Sequence, residues 1–522
     1  MSSDPPILRP VDQPSKPLLV LALLAVLLSF FLALGRSPLF DVDEGAFSQA
    51  TVEMFQRGDF LSTYLNGVPR YDKPILVYWL QAASVIAFGV NEFAFRFPSA
   101  LCSSLWVLLT FLFARRRFGP NAALLAAGIM ATSLGVYIIG RAATADALLN
   151  MLIAASMFSA WMHLETGRRV WLYSAFATIG LGFLAKGPVA ILIPLAVTLA
   201  FCVLRRDLRT WARAILDWRG LLLFAAIALP WYVFILHREG WAFVQGFFLK
   251  HNLSRFGDTL QGHAGSLLYY FPVVVIGTLP YTAFFLRTLQ RVRAGWRDDL
   301  QCYLWLWFGF VFVFFSLSGT KLPHYLLYGM TGMFILMAIH GAEVRQRFWA
   351  LLPPLLLYLF LLALPVIVAA ARPWVNDAYY RDALAGAEQY FRPEYFAYMA
   401  AGALLTLYFM LERRMDLPRK LVVSGIAGVV GLSAFVVPVG AGVLQQPIKE
   451  AALLAREKGY DVIMWGLNAP SFSVYYGRPT QSRDPRPGDI VITKARRVAE
   501  LPGYGSAVLY AKNGIVLIRV TG

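Results

Sequence analysis

The sequence predicts a polytopic, all-α membrane protein that carries a small α/β domain at its carboxyl end. Of its 522 residues, 58% are hydrophobic and 15% are charged, whereas soluble chains carry about a quarter charged residues. The apolar residues lie in long runs without charge, and basic clusters fall on every second connection between runs. These observations exclude a soluble enzyme, a disordered protein and a disulfide scaffold.

The first apolar run, residues 18–34, is long enough to cross most of the hydrocarbon layer of a bilayer. A cleaved signal peptide is the alternative, because Arg9 and Lys16 precede the run. We interpret the run as a membrane span, since it exceeds a normal signal core and many similar runs follow. Charge-free windows predict about thirteen spans, near residues 18–35, 97–114, 121–139, 146–163, 171–186, 188–204, 220–236, 265–286, 301–318, 324–342, 349–371, 395–411 and 421–441.

The net charge of +17 reflects membrane topology rather than nucleic-acid binding. Arginine clusters such as 115–117, 205–209 and 287–293 all fall on connections of the same side. The positive-inside rule therefore predicts a cytoplasmic segment at residues 1–17, a membrane domain at 18–445 and a carboxyl terminus outside.

Residues 36–96 form a long predicted outer loop between the first two spans, and a loop of this length is typical of a functional or separately folded segment. Asp43 is placed to cap a helix that runs to about Phe55. Pro74 is placed to start a second helix, in which Tyr78 and Trp79 suit the membrane interface.

Further polar residues are predicted on the same outer side, in loops 237–264 and 318–325 and at Asp146, which begins the fourth span. A transporter would place ionisable residues near the middle of its spans. Here the spans are nearly free of charge, which favours chemistry at one membrane surface over transport or a purely structural role.

Residues 446–522 differ in composition from the rest and predict a small α/β domain outside the membrane. Residues 447–458 have the pattern of an amphipathic helix. Four short β-rich runs follow, at Val462–Trp465, Ile490–Thr493, Val508–Tyr510 and Ile515–Val520.

Several blocks occur in a specific order between the spans: Asp43-Glu44-Gly45-Ala46-Phe47, Arg57-Gly58-Asp59-Phe60, Leu65-Asn66-Gly67-Val68-Pro69-Arg70-Tyr71-Asp72-Lys73-Pro74, Tyr78-Trp79, Arg96-Phe97-Pro98-Ser99 and Ser318-Gly319-Thr320-Lys321-Leu322-Pro323-His324-Tyr325. In these blocks the chain resembles the polytopic GT-C glycosyltransferases that use polyprenyl-phosphate sugars. It is most similar to the aminoarabinose transferase of lipid A modification and is also similar to the protein O-mannosyltransferases. Asp72 stands where the family often has glutamate, and Gly45-Ala46-Phe47 replaces an arginine-tyrosine type of sequence.

The resemblance implies a sugar donor whose leaving group is a lipid phosphate, which is already a stable anion. Such a leaving group needs cations rather than an acid, so one carboxylate suffices as the base or orienting group. We predict catalytic roles for Asp43, Asp146 and Glu44. The residues predicted to hold the lipid phosphate are Lys73, Arg255, Lys321, Arg57 and Tyr325.

The resemblance also implies a divalent metal, zinc, held by Asp72 and His251, with His324 as an alternative ligand or phosphate donor. Two ligands without a spacing motif are weak evidence for a metal site, and ordinary hydrogen bonding is the alternative. His163 and His340 are predicted on the cytoplasmic side, away from this chemistry.

The function predicted from these residues is sugar transfer, with inversion, from a polyprenyl-phosphate donor to a periplasmic acceptor. The acceptor is lipid A or another envelope glycan, and a protein hydroxyl is the alternative. The resemblance implies the bacterial inner membrane, where the protein would contact membrane lipids. A lipid or glycan transporter is the rival from another class.

Overall fold

The computed structural model describes residues 13–253, 265–501 and 505–521. Helices dominate residues 16–457, and a small sheet follows. The first three helices are α1 (Lys16–Phe31), α2 (Asp43–Arg57) and α3 (Leu76–Phe88). The next group is α4 (Glu92–Thr132), α5 (Leu134–Arg141), α6 (Asp146–Thr166), α7 (Arg169–Lys186), α8 (Val189–Leu204), α9 (Leu208–Ile215), α10 (Trp218–Glu239) and α11 (Trp241–Phe243).

The second half of the bundle continues in the same way. Its helices are α12 (Tyr270–Gly277), α13 (Thr282–Leu289), α14 (Val292–Gly295), α15 (Asp299–Leu317), α16 (Leu327–Gly341), α17 (Arg347–Ala371), α18 (Ala378–Ala385), α19 (Pro393–Leu411), α20 (Leu417–Gly431), α21 (Val437–Leu444), α22 (Gln446–Glu457) and α23 (Pro470–Tyr476). Short 3-10 helices lie at Pro323–Leu326, Arg372–Trp374, Glu388–Tyr390 and Ala495–Glu500, and π-helices at Val244–Leu253 and Leu432–Val436.

The chain is a multi-pass membrane protein, as the hydropathy predicts. Among the described residues, seven helical segments are long and apolar enough to cross a bilayer: Glu92–Thr132, Asp146–Thr166, Trp218–Glu239, Asp299–Leu317, Arg347–Trp374, Pro393–Leu411 and Leu417–Leu444. Every predicted span coincides with helical structure, but several are short or broken. The count of about thirteen crossings therefore stays a prediction.

Two of the predicted spans, 97–114 and 121–139, meet inside α4. Gly119 adopts a positive φ of 83° there, which is open to glycine at little cost. Pro120 follows and lacks the backbone donor that a continuous helix would need. The break separates the two spans where the arginine cluster 115–117 predicts a connection.

The hairpin between α7 and α8 positions a lysine at one end of the bundle. Gly187 has a φ of 84° and ends α7 directly after Lys186, so the chain reverses within two residues. A Cβ at Gly182 would lie 2.8 Å from the Cβ of Ala190, so the two helices pack closely at this point. The predicted spans 171–186 and 188–204 leave only Gly187 between them, and the structure confirms this short connection.

The first outer loop contains the two predicted helices and a small hairpin. Strands β1 (Tyr64–Leu65) and β2 (Val68–Pro69) are antiparallel. The buried Glu53 carboxylate accepts hydrogen bonds from the backbone of the turn, from Asn66 N at 2.6 Å and Gly67 N at 3.0 Å. The prediction that Asp43 caps α2 is wrong, because Val42 occupies the N-cap position and Asp43 is the first helical residue.

The carboxyl-terminal sheet has the order β3-β4-β6-β5. Its strands are β3 (Val462–Met464), β4 (Ile490–Lys494), β5 (Gly505–Lys512) and β6 (Ile515–Thr521). β3 and β4 are parallel, and the other neighbours are antiparallel. One face of the sheet packs against the helices α22 and α23, which confirms the small α/β unit predicted from composition.

Helix α23 attaches this sheet to the first outer loop. The Asp41 carboxylate accepts hydrogen bonds from Ser471, from its backbone N at 2.9 Å and from its hydroxyl. The Tyr475 hydroxyl accepts the backbone N–H of Leu39 at 2.7 Å. The segment that leads into α2 is therefore held by the carboxyl-terminal unit.

We expect this contact to weaken as pH rises. Burial raises the pKa of Asp41 to about 7, although the hydrogen bonds from Ser471 lower it. When the contact opens, the pKa returns towards about 3.9. The open form therefore loses its proton first, and the contact weakens between about pH 4 and pH 7 and not above.

Hydrogen exchange of the α23 amides, corrected for the intrinsic rate, tests this prediction. Exchange should rise about tenfold or more over that pH range in the wild type. The substitution Asp41→Asn keeps an acceptor but cannot ionise, so it should flatten the dependence. An unchanged dependence in Asp41→Asn would contradict the assignment to Asp41.

Candidate active site

A buried ion-pair network surrounds Asp146 at the first turn of α6. Lys186 forms an ion pair with Asp146 Oδ1, and the Tyr328 hydroxyl donates to the same oxygen at 2.7 Å. Thr144 donates to Oδ2 at 3.3 Å, and His324 Nε2 lies 3.6 Å from Oδ1. The side chains of Asp146 and Lys186 are 8% and 10% exposed. The Asp146 carboxylate therefore contacts side chains from three other segments of the chain.

Two charged residues of the first outer loop approach the same network. Asp43 and Lys73 are both close enough for their charges to act on the His324 ring. Asp43 is exposed on the first turn of α2. Lys73 Nζ donates to the backbone oxygen of Asp72 at 3.0 Å, among other contacts. Asp43 and Lys73 therefore lie within electrostatic range of His324, whose Nε2 is 3.6 Å from the Asp146 carboxylate.

The 318–325 segment carries further residues predicted for the site. Lys321 is 7% exposed, and its Nζ donates to the Ser318 carbonyl at 2.6 Å. The Tyr325 ring lies between His324, at 4.9 Å between ring centroids, and Tyr328, at 6.0 Å. Lys186 Nζ is 5.4 Å from the centroid of each tyrosine ring, which is within cation–π distance.

Glu44 follows Asp43 in the chain but faces another part of the molecule. It accepts two hydrogen bonds from Arg96, at 2.9 and 2.6 Å, and others from the backbone of Phe40 and Ala143. Burial alone would raise the pKa of Glu44, but the Arg96 charge and these hydrogen bonds hold it below its ordinary value. The geometry favours a structural role for Glu44 rather than the catalytic role predicted from sequence.

Replacing Glu44 with glutamine should therefore destabilise the fold. The guanidinium of Arg96 would remain buried without its counter-charge, which costs about 3–5 kcal/mol. The measurement is the unfolding midpoint in detergent, with Glu388→Gln, an exposed acid in another loop, as the matched control. Wild-type stability of Glu44→Gln would contradict the structural role.

Arg57 is not brought to the other predicted site residues. It lies at the opposite end of α2 from Asp43, about 21 Å away by helical rise. Its guanidinium stacks on the Tyr64 ring at 3.9 Å and lies 3.8 Å from Glu53. These contacts favour a role in holding the β-hairpin rather than the predicted contact with lipid phosphate.

The predicted metal ligands are only partly described. The Asp72 carboxylate lies 3.4 Å from the Arg70 guanidinium. His251 belongs to the π-helix Val244–Leu253, but its side chain lies outside the described part of the structure, and so does the whole of Arg255. The described residues contain no group of three or more histidine, cysteine or acidic side chains that could hold a metal.

Sequence reasoning missed Lys186 and Tyr328. Lys186 is the last residue of the predicted span 171–186, and Tyr328 lies within the predicted span 324–342, so neither is predicted as a site residue. A usable signal was present for the lysine, because the predicted topology places the end of the fifth span on the same side as Asp146. A cation at that depth needs a counter-charge.

The fold and the cluster define a class: a helical membrane protein with a charged site at one end of the bundle and a small α/β unit attached beside it. Residues 72–234 match the family model described as dolichyl-phosphate-mannose-protein mannosyltransferase. The chain is 31% identical over 345 residues to the undecaprenyl phosphate-alpha-4-amino-4-deoxy-L-arabinose arabinosyl transferase 2 of Pseudomonas fluorescens. It is 30% identical over 341 residues to the corresponding transferase of Pseudomonas aeruginosa.

These two matches cover 63% of this chain and only 58% and 60% of the relatives. The fold likeness is more extensive. The crystal structure of ArnT from Cupriavidus metallidurans in the apo state superposes with a TM-score of 0.80 at 21% identity, covering 96% of this chain and 97% of that one. Its complex with undecaprenyl phosphate gives a TM-score of 0.78. The resemblance to GT-C polyprenyl-phosphate-sugar glycosyltransferases is therefore confirmed, and the fold is ArnT-like.

Proposed function

We propose that the protein transfers a sugar from a polyprenyl-phosphate donor to lipid A or another envelope glycan. The observation that carries this proposal is the buried Asp146–Lys186 pair beside His324, with Asp43 and Lys73 within electrostatic range of that histidine. Such a cluster provides both a reachable carboxylate and cations near headgroup depth. The relatives named for the same type of donor support it.

The two carboxylates are suited to different tasks. Asp43 is exposed, so an acceptor hydroxyl can reach it, and its carboxylate can take the proton or orient the attacking oxygen. Asp146 already accepts from Lys186 and Tyr328, which leaves it poorly suited to take a proton. We assign Asp43 the base or orienting role, and Asp146 the role of positioning Lys186 and His324.

The cations would stabilise the departing lipid phosphate. Breaking the sugar–phosphate bond leaves its electrons on a phosphate oxygen, where charge-assisted hydrogen bonds are strong. Lys73 lies next to the cluster, and Lys321 is on the segment that carries His324. Arg255 stays a candidate from the sequence. The Tyr325 hydroxyl is a candidate donor to the phosphate or the sugar.

Attack by the acceptor from the face opposite the phosphate would invert the anomeric centre. Inversion needs only one carboxylate near the acceptor. A second carboxylate would be needed as a nucleophile only if the sugar were first bound covalently to the protein. Zinc at Asp72 and His251 stays a separate proposal. Metal analysis of the purified protein, with Asp72→Asn as control, tests it independently of transfer.

We also propose the bacterial inner membrane, with the amino terminus cytoplasmic and the cluster and residues 446–522 in the periplasm. The arginine clusters support this orientation. Protein O-glycosylation by the same fold is the second candidate, supported by the family model over residues 72–234. The orientation is checked with a cysteine in an added carboxyl-terminal tag, by measuring whether a thiol reagent can reach it from the periplasmic side.

Mass spectrometry of envelope lipids and glycans, with and without the gene, tests the function. Complementation with wild type should restore a sugar-bearing species, and Asp43→Asn should not. A parallel search for glycosylated periplasmic proteins separates the second candidate. Identical profiles in all strains would overturn the proposal.

A further inference from the structure

A large apolar groove lies along one flank of the bundle. It is bounded by α12, α13 and α17 and has a volume of about 1480 Å³. Small-molecule pockets have volumes of about 300–1,000 Å³. Leu286, Leu356 and Phe360 line it and are each about half exposed, so the groove opens sideways to the lipid region.

One end of the groove is strongly basic. Arg287, Arg291 and Arg345 gather there with a single acid, Glu343. The Glu343 carboxylate accepts from both Arg287, at 2.9 Å, and Arg291 Nε, at 2.8 Å. One carboxylate against three guanidinium groups leaves a net charge of about +2 at this end.

This basic end is far from the cluster around His324. It lies just beyond Gly341, the last residue of α16, whereas Tyr328 of the active-site cluster lies in its first turn. The length of α16 separates the two ends by about 21 Å. The basic end therefore belongs to the opposite membrane face, which the arginine clusters predict to be cytoplasmic.

We propose that this groove is a binding site for an anionic glycerophospholipid of the cytoplasmic leaflet. The phosphate would contact Arg291 and Arg345, and the acyl chains would lie along Leu286, Leu356 and Phe360. The charge at one end and the apolar walls match an anionic headgroup with two hydrocarbon tails. Anionic lipids of this leaflet are attracted by about 1 kcal/mol per arginine near the surface.

The test is native mass spectrometry after reconstitution into phosphatidylcholine bilayers that contain phosphatidylglycerol. The wild type should retain phosphatidylglycerol selectively. The double substitution Arg291→Gln/Arg345→Gln should lower retention about tenfold or more. Arg168→Gln/Arg169→Gln is the control, because it removes the same charge from exposed residues predicted on the same face, outside the groove.

The substitution Leu356→Trp keeps all the arginines and fills the groove, so it should also lower retention. Equal loss in the control pair, or equal retention of phosphatidylcholine and phosphatidylglycerol by the wild type, would overturn the proposal. A dimer that excludes lipid from this face would overturn it as well. The readout does not depend on sugar transfer.

Discussion

Replacing Asp43 with asparagine is expected to lower sugar transfer by about 10²–10⁴-fold while the protein stays folded. The amide cannot accept the proton of the acceptor hydroxyl, and it no longer carries the negative charge that acts on His324. The fold should tolerate the change, because Asp43 is exposed and its side chain makes no capping hydrogen bond. Turnover of a polyprenyl-phosphate sugar by purified protein in detergent is the measurement.

Two comparisons make the Asp43 result interpretable. Glu388→Gln removes an exposed acid from a different loop and should leave turnover unchanged. Asp43→Glu restores a carboxylate at a displaced position and should recover part of the activity. If Asp43→Asn turns over substrate at the wild-type rate, Asp43 is neither the base nor the orienting group.

Breaking the Asp146–Lys186 pair should lower both the stability and the activity of the protein. The substitution Lys186→Met leaves the Asp146 carboxylate buried beside Tyr328 without its main counter-charge. Removing one partner of a buried pair costs about 3–5 kcal/mol. The unfolding midpoint in detergent should fall, and transfer should be lost with it.

The double substitution Asp146→Asn/Lys186→Met separates stability from chemistry. With both charges gone, much of the lost stability should return, since a neutral pair leaves no unpaired buried charge. Transfer should stay low, because the Lys186 cation is gone and the Asp146 carboxylate no longer positions His324. Full recovery of transfer would mean that the pair is only structural.

Much of the fold follows from local pattern. Hydropathy located helical structure at every predicted span, and the positions of α2, α22 and all strands of the terminal sheet agree within a few residues. These features depend on periodicity and turn chemistry, which neighbouring residues decide. The break within 265–286, where α12 and α13 separate, was missed because an apolar run looks the same whether it is one helix or two.

The sequence predicted some residues of the candidate site and misassigned others. The outer side, Asp43, Lys73 and Asp146 follow from motif order and charge topology. Glu44 and Arg57 were assigned from the same motifs, yet the structure pairs them with Arg96 and with Glu53 and Tyr64. Adjacent helical residues point about 100° apart, so Asp43 and Glu44 face different neighbours, and only packing decides which.

The sequence by itself determined that this protein crosses a membrane many times and that residues 446–522 contain an α/β unit, and it predicted the face that carries the polar residues. Those properties follow from hydropathy, charge placement and local periodicity, which act along the chain. Only the tertiary structure decided that Lys186 and Tyr328 contact the Asp146 carboxylate. It also decided that Arg96 forms the ion pair with Glu44 and that α23 contacts the segment before Asp43. A buried charge takes the partner that packing brings near it, and that partner can lie more than a hundred residues away.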